Sequence, residues 1–388
     1  MEKIKQNCQT CNGDCSNCYP DEMPKILSKK QTFLILLIIA IVGSLIGYVQ
    51  NKSRKLAIEK EKQKSILVTE STENSLRQEF FIMGTVFNCN FFDKDIAKRE
   101  KARDAVIAEL KKVEKLCNIF DSKSEAFHLN SQAHVKPFKC SDDFWEILQK
   151  SRWAYEISDG NFDITAKPLM DLWGFYRKQN KIPTESEIAE TLKFVGLNKV
   201  VFDDEAKTVF FPERGFAFDF GGIAKGIAVD HAMEEAKKFD LDGMLINLGG
   251  NISCYGKVDP YNSYSVAIRN PVNKDDYAKI IQLSNESVAT SGNYERFVTI
   301  KNKTYSHIMN VKTGLPVENV LSVTVVEKSA GNADIFSTSV FIGGEKTINK
   351  LRSQFPDLKI YSFALGENNK IIYKEFNKET LTNNEVQK

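Results

Sequence analysis

The chain has almost no excess charge of either sign: 53 Lys and Arg stand against 51 Asp and Glu, a formal net charge of +2. It also lacks any basic run interleaved with stacking aromatics, so the electrostatic footprint of a nucleic-acid-binding protein is missing. Neither G-x-G-x-x-G nor a Walker A loop occurs, which leaves the two common nucleotide-binding folds unsignalled. Charge is absent altogether from residues 31–51, and 33–49 is almost wholly Leu, Ile, Val, Phe and Ala with two glycines. About 20 such residues cross the hydrocarbon layer of a bilayer, so this stretch reads as one membrane-spanning helix. No small-x-small cleavage site follows it and no cysteine sits just after it to accept a lipid, so an uncleaved anchor is expected.

Ahead of that span, Cys8, Cys11, Cys15 and Cys18 take half of the chain's eight cysteines in the pattern C-x2-C-x3-C-x2-C. Thiolates so spaced can close around Zn²⁺ or an iron–sulfur cluster, although the middle loop is shorter than in two-knuckle zinc modules and the order is not the usual ferredoxin run. A metal or cluster site is favoured over disulfides or free thiols in a flexible tail. Lysines do not orient the span: Lys25, Lys29 and Lys30 face Lys52, Arg54 and Lys55, with Lys60, Lys62 and Lys64 beyond, a slight lean toward a cytoplasmic C-terminal side. A thiolate site persists best in a reducing compartment, which argues the other way, for a cytoplasmic tail and a C-terminal domain across the membrane.

The expected organisation is a Cys-rich tail (1–30), a transmembrane helix (31–51), a polar stalk (52–79), a globular domain (80–375) and a loose polar tail (376–388). Within the domain, a strand is expected over 80–92, interrupted at Gly84, and helices over 98–116, 142–157, 184–194, 333–342 and 346–355. Thr184 and Glu187 make a capping box, and 200–202 with 208–211 form a short hairpin. Strand runs outnumber helices and do not alternate with them, so the fold class is α+β, with mixed or antiparallel sheets packed against helices.

Two stretches carry chemistry. At 216–230 a strand feeds through Gly221 and Gly222 into a helix; close backbone approach, free helix N–H groups and Lys225 suit an anion, while a tight turn with a solvated lysine is the plainer alternative. At 305–343, His307 precedes a Thr-Gly-Leu-Pro turn, and Asp334 and Thr338 lie four residues apart on one helix face. A carboxylate beside a hydroxyl suits a hard cation such as Mg²⁺, with His307 as a neighbouring base. Singly, each residue is also at home as a helix first-turn acid, a packed threonine or a hydrogen-bonded histidine.

Taken jointly and in order, FIMGT (81–85), DITAKPLMDLWGF (163–175), DFGGIAKG (219–226) with Asp230, NLGGN (247–251), TSGNYERF (290–297), the 307–316 segment and Ala333-Asp334 through Thr338 resemble the ApbE family of FAD:protein FMN transferases. The resemblance covers about 80–375 and leaves the tail, anchor and stalk outside. It implies an enzyme that uses FAD as substrate and Mg²⁺ as cofactor to move FMN onto a Thr or Ser hydroxyl of an acceptor protein through a phosphoester bond, releasing AMP. It further implies Asp334, Thr338 and the Ala224 carbonyl as metal ligands, His307 as base, and Met83, Phe120, Asp219, Lys225, Thr290, Ser291 and Gly292 around the flavin nucleotide. Phe120 stands where a flavin-facing tyrosine is common, Asn293 and Asn310 replace usual aspartates, and Val311 replaces a proline. The acceptor is expected to be a subunit of a membrane redox complex, with the enzyme anchored by one span in a bacterial inner membrane and its catalytic domain on the extracytoplasmic side. The alternatives are FAD hydrolysis to FMN and AMP, and a non-catalytic, membrane-tethered flavin carrier exchanging electrons with the cysteine cluster.

Overall fold

The structure, a computed structural model, describes residues 66–386 except 178, 180, 258–262, 274, 296, 302 and 378–380, and only the backbone of 66–67 and 381–386. The expected membrane span and the cysteine tail lie outside the described residues; among these, no helix is long and apolar enough to cross a membrane.

In chain order the first elements are β1 (Ile66–Ser71), β2 (Ser75–Ile82), β3 (Thr85–Phe92), α1 (Ile96–Cys117), α2 (Glu125–Gln132), β4 (Phe138–Lys139), α3 (Asp142–Ile157), α4 (Lys167–Leu172), α5 (Glu185–Leu192), β5 (Val201–Asp203) and β6 (Thr208–Phe210). Then come α6 (Ala224–Lys237), β7 (Gly243–Leu248), β8 (Asn251–Gly256), β9 (Tyr264–Arg269), β10 (Tyr277–Leu283), β11 (Ser287–Gly292), β12 (Phe297–Ile300), β13 (Lys303–Ser306), β14 (Met309–Asn310) and β15 (Leu315–Pro316). The last are β16 (Val320–Glu327), α7 (Ala330–Gln354), β17 (Lys359–Leu365), β18 (Ile371–Phe376) and β19 (Leu381–Val386).

Ten strands form one sheet in the order β1-β2-β3-β7-β8-β11-β16-β17-β18-β19, and every neighbouring pair runs antiparallel. The α+β expectation therefore holds. Helices α6 and α7 cover one face, with α1 packed on α6, while the β9–β10 hairpin covers part of the other face. Strand alternation feeds both cores: Ala289 and Ile360 join the helix side, Val288 and Tyr361 the hairpin side. A third, smaller core gathers Leu169, Trp173, Ile188, Tyr305, Met309 and their neighbours beneath the loop that bears His307.

Several boundaries differ from the sequence reading. The span 80–92 is two strands, because Met83 (φ 52) and Gly84 (φ 71) make a two-residue turn in which both residues are left-handed. The sheet begins within the expected stalk: β1 and β2 occupy much of 66–82, and β2 buries Leu76, Gln78, Phe80 and Ile82 on alternate positions. Gln78 on the inward face makes the stretch polar by composition, which hides its period of two. At the other end β19 pairs with β18, so part of the expected loose tail is an edge strand. The two expected C-terminal helices are present within α7, separated at Gly344, whose φ 59 and ψ −146 are not helical.

Candidate active site

His307 sits between β13 and β14, and the third core sets its place. Tyr305 and Met309 on either side of it are buried, and the Tyr305 ring lies 5.1 Å from that of Trp173. The indole Nε1 of Trp173 donates to the Gly314 carbonyl at 2.9 Å, tying the Thr-Gly turn to α4. Gly314 has φ +71, and a Cβ there would lie 2.4 Å from Ile188 Cγ2, so only glycine fits. Asn310 accepts the Lys312 N–H through Oδ1 at 3.0 Å and keeps the turn.

The oxygen ligands expected for a cation come from the crossing of α6 and α7. The two helices cap one another. Asp230 of α6 accepts from Ser329 Oγ (2.6 Å) and from the amides of Ala330 (2.6 Å) and Gly331 (2.9 Å) at the start of α7. In return Asp334 Oδ2 of α7 accepts the Gly226 amide of the first turn of α6 at 3.0 Å, with Asn251 Nδ2 at 3.1 Å and Lys225 Nζ at 3.7 Å. An acid at a helix N-terminus satisfies free donors and the helix dipole together. Gly226 permits the crossing: a Cβ on it would stand 2.6 Å from the Ala330 carbonyl and 2.8 Å from Asp334 Cβ.

One turn along α7, Thr338 Oγ1 lies 3.2 Å from Ser291 Oγ, which is also 2.9 Å from Ser337 Oγ. Ser291 thus reaches the hydroxyl expected to ligate metal. Thr290 Oγ1 pairs with Thr324 Oγ1 across the sheet at 2.8 Å. A Cβ at Gly222 would meet Thr338 Oγ1 at 3.4 Å, so the glycine turn and Thr338 are neighbours. No group of three or more His, Cys, Asp or Glu side chains able to hold a metal occurs among the described residues. One carboxylate, one hydroxyl and a backbone carbonyl of Ala224 form a hard-oxygen set of low charge, which fits Mg²⁺ retaining water or taking phosphate oxygens and does not fit a closed protein cage.

A single cleft of about 980 Å³ joins these parts, and His307, Met83, Phe120, Asp219, Ala224, Lys225, Thr290, Ser291, Gly292, Asp334 and Thr338 all line it. It opens where the sheet splays: β11 pairs with β8 only through Ser287 and Val288, leaving its C-terminal half to face the cleft. Left-handed Met83 is held there by its amide, which donates to Glu114 Oε1 at 2.9 Å. Asp219 Oδ1 accepts the Gly221 amide at 2.8 Å, and Lys225 Nζ donates to the Gly221 carbonyl at 3.2 Å. Asn251, Tyr176, Arg269 and Tyr294 were not singled out as site residues from the sequence; of these Asn251, in the NLGGN motif, and Tyr294, in TSGNYERF, had a signal, while Tyr176 lies in a loop and Arg269 at a strand end with none. Burial, then the neighbouring Glu295, pushes the Tyr294 phenol upward, keeping it neutral.

The ApbE family matches residues 83–361 of this chain. Among curated relatives, the FAD:protein FMN transferase of Haemophilus influenzae is 29% identical over 273 residues, 68% of this chain and 79% of that protein. That of Klebsiella pneumoniae is 27% identical over 277 residues, 70% of this chain and 84% of the relative. Among solved structures, the ApbE protein of Thermotoga maritima superposes with a TM-score of 0.70 at 27% identity, covering 79% of this chain and 97% of its own. The flavin transferase ApbE of Vibrio cholerae, at 22% identity and a TM-score of 0.69, shares the fold over 80% of this chain and 98% of its own. The match spans the cleft and the central strands of the sheet around it, from the Met83 turn through β16 to the start of β17, and the chain belongs to the ApbE family.

Proposed function

We propose that the protein is an FAD:protein FMN transferase that moves FMN from FAD onto a Thr or Ser hydroxyl of an acceptor protein, in a reaction that needs Mg²⁺ and releases AMP. The observation that carries the reading is that His307, Lys225 and the Asp334–Thr338 pair, far apart in sequence, line one cleft of about 980 Å³, a volume suited to a dinucleotide. The relatives named for this activity support it.

The acceptor hydroxyl oxygen attacks the phosphorus on the riboflavin side of the pyrophosphate; the new P–O bond forms as the bridging P–O bond breaks and AMP leaves. His307 takes the hydroxyl proton. Lys225, at the N-terminal end of α6 beside the Gly221–Gly222 turn, holds the pyrophosphate charge. Asp334, Thr338 and the Ala224 carbonyl would hold Mg²⁺, which supplies charge neutralisation on phosphoryl oxygens when bound. Asn251 and the Gly226 amide keep Asp334 aimed by occupying one carboxylate oxygen. The anchor, an acceptor in a membrane redox complex, an extracytoplasmic catalytic domain and a metal or cluster on the tail cysteines belong to the same proposal.

Incubation of the protein with FAD, Mg²⁺ and a candidate acceptor tests it. Covalent flavin on the acceptor, read by in-gel fluorescence and mass, with one AMP per flavin, is the expected result. FMN and AMP with no acceptor adduct would favour hydrolysis instead, and bound FAD without turnover would favour a carrier.

A further inference from the structure

Tyr176 has no part in the chemistry above, yet the cleft brings it against two residues expected to line the flavin nucleotide site, Phe120 and Asp219. It follows α4 by four residues, past Gly174, whose φ of +78 and a Cβ position 2.8 Å from the Gln179 amide require glycine. Its hydroxyl donates to Asp219 Oδ2, while the other oxygen of that carboxylate takes the Gly221 amide. Its ring stands edge-on to Phe120, centroids 5.0 Å apart and planes at 68°. Phe120 lines the cleft and is nevertheless 63% exposed, so much of its ring lacks protein cover. A bare aromatic ring inside a cleft is a stacking surface for another planar ring. A carboxylate that has accepted two donors has lone pairs left for a third.

We propose that Tyr176 is a positioning residue for ligand recognition: it holds the Phe120 ring and the Asp219 carboxylate at a set separation, so that together they take a planar heteroaromatic ring. Phe120 stacks on the ring and Asp219 accepts from its N–H or exocyclic amine. The inference rests on the cleft being the FAD site, and FAD offers two such rings, isoalloxazine and adenine.

The full chain and its Tyr176→Phe and Tyr176→Ala variants are titrated with FAD, FMN and ADP, so that no turnover is needed. Tyr176→Phe keeps the ring contact and removes the bond to Asp219; it is expected to weaken FAD and one of the two partial ligands by about fivefold to tenfold, the size of one typical hydrogen bond. The other partial ligand should stay within about twofold, and Tyr176→Ala should weaken the same ligand further, since it also releases Phe120. Selective loss of FMN, with a changed absorption band of bound flavin, assigns the isoalloxazine; selective loss of ADP assigns the adenine. Parent-like binding of all three ligands, or equal loss of FMN and ADP, overturns the proposal by leaving Tyr176 inert or merely structural. A parent protein that binds no FAD refutes the site reading beneath it, a failure seen in the parent and so separate from any effect of the variants.

Discussion

His307 and Asp334 do different work, and substitutions at each should separate binding from chemistry. His307→Ala removes the proposed base from a cleft whose proposed nucleotide contacts lie on Lys225 and the Gly221 turn; transfer should fall by about 10²-fold to 10⁴-fold while FAD affinity barely changes. Raising the pH should restore part of the rate as hydroxide replaces the base. A flavin-fluorescence titration and a single-turnover transfer assay on the same preparations give both numbers, and equal loss in the two would make His307 a binding residue. Asp334→Asn keeps an oxygen for the Gly226 amide and loses the charge, so Mg²⁺-dependent transfer should vanish with the melting temperature nearly unchanged. Asp334→Ala should add a stability loss of about 1–3 kcal/mol, because the buried Gly226 amide and Asn251 side chain are left without their acceptor. If Asp334→Asn retains full transfer, Asp334 is a capping residue only. That both residues belong to one site was legible in the sequence through spacing and resemblance, and both line the cleft; the role of Asp334 as acceptor for another helix was not, since nothing local shows which helix will cross it.

At the scale of elements, what could be read was whatever local chemistry determines. The helix Asp142–Ile157 starts and stops where its apolar period does, with Ser141 capping the Phe144 amide, and the Thr184–Glu187 capping box is present as expected. Elements set by tertiary context were missed: the Met-Gly turn has none of the Asn-Gly chemistry that announces a hairpin, and α2 is too short to show a period. The crossing of α6 and α7 is the element pair on which the site depends, and Gly226 tests it. Alanine there would gain about 0.8–1.0 kcal/mol of helix propensity. Its Cβ would also sit 2.6 Å from the Ala330 backbone oxygen, which cannot yield without moving the start of α7. Overpacking of that kind costs about 1–3 kcal/mol, so the clash should win. Gly226→Ala is expected to lower the melting temperature, and to lower metal affinity as well, because α7 carries both Asp334 and Thr338. An unchanged melting temperature and metal affinity would mean that the crossing has slack.

For the whole molecule, the sequence showed the class of fold and the order of its segments but not the three-layer arrangement, because which sheet face receives the β9–β10 hairpin depends on contacts remote in sequence. It did divide the cysteines, and that division makes a prediction spanning the entire chain. Cys89, Cys117, Cys140 and Cys254 are free and buried. Burial pushes the Cys89 and Cys140 thiols up to about 12 and raises those of Cys117 and Cys254 too. A free thiol near 8.5 is substantially ionised at pH 8, whereas one at about 12 presents roughly 10⁻⁴ as thiolate, so native labelling of Cys89 and Cys140 should be slower by about three orders of magnitude, and that of Cys117 and Cys254 slowed in the same direction. The four tail cysteines, Cys8, Cys11, Cys15 and Cys18, should also resist a maleimide if they hold zinc or a cluster. Reduced native protein counted by intact mass is therefore expected to show no fast thiols, then four after chelation or cluster removal, and eight of the chain's eight cysteines in guanidinium. Four fast thiols without a chelator would sink the metal site. A fast reaction at any of the other four would contradict their burial. The same chemistry in intact cells reads orientation: with the tail cytoplasmic, a membrane-impermeant maleimide should miss the tail even after a permeant chelator has acted, and labelling from outside would place the catalytic domain on the cytoplasmic side.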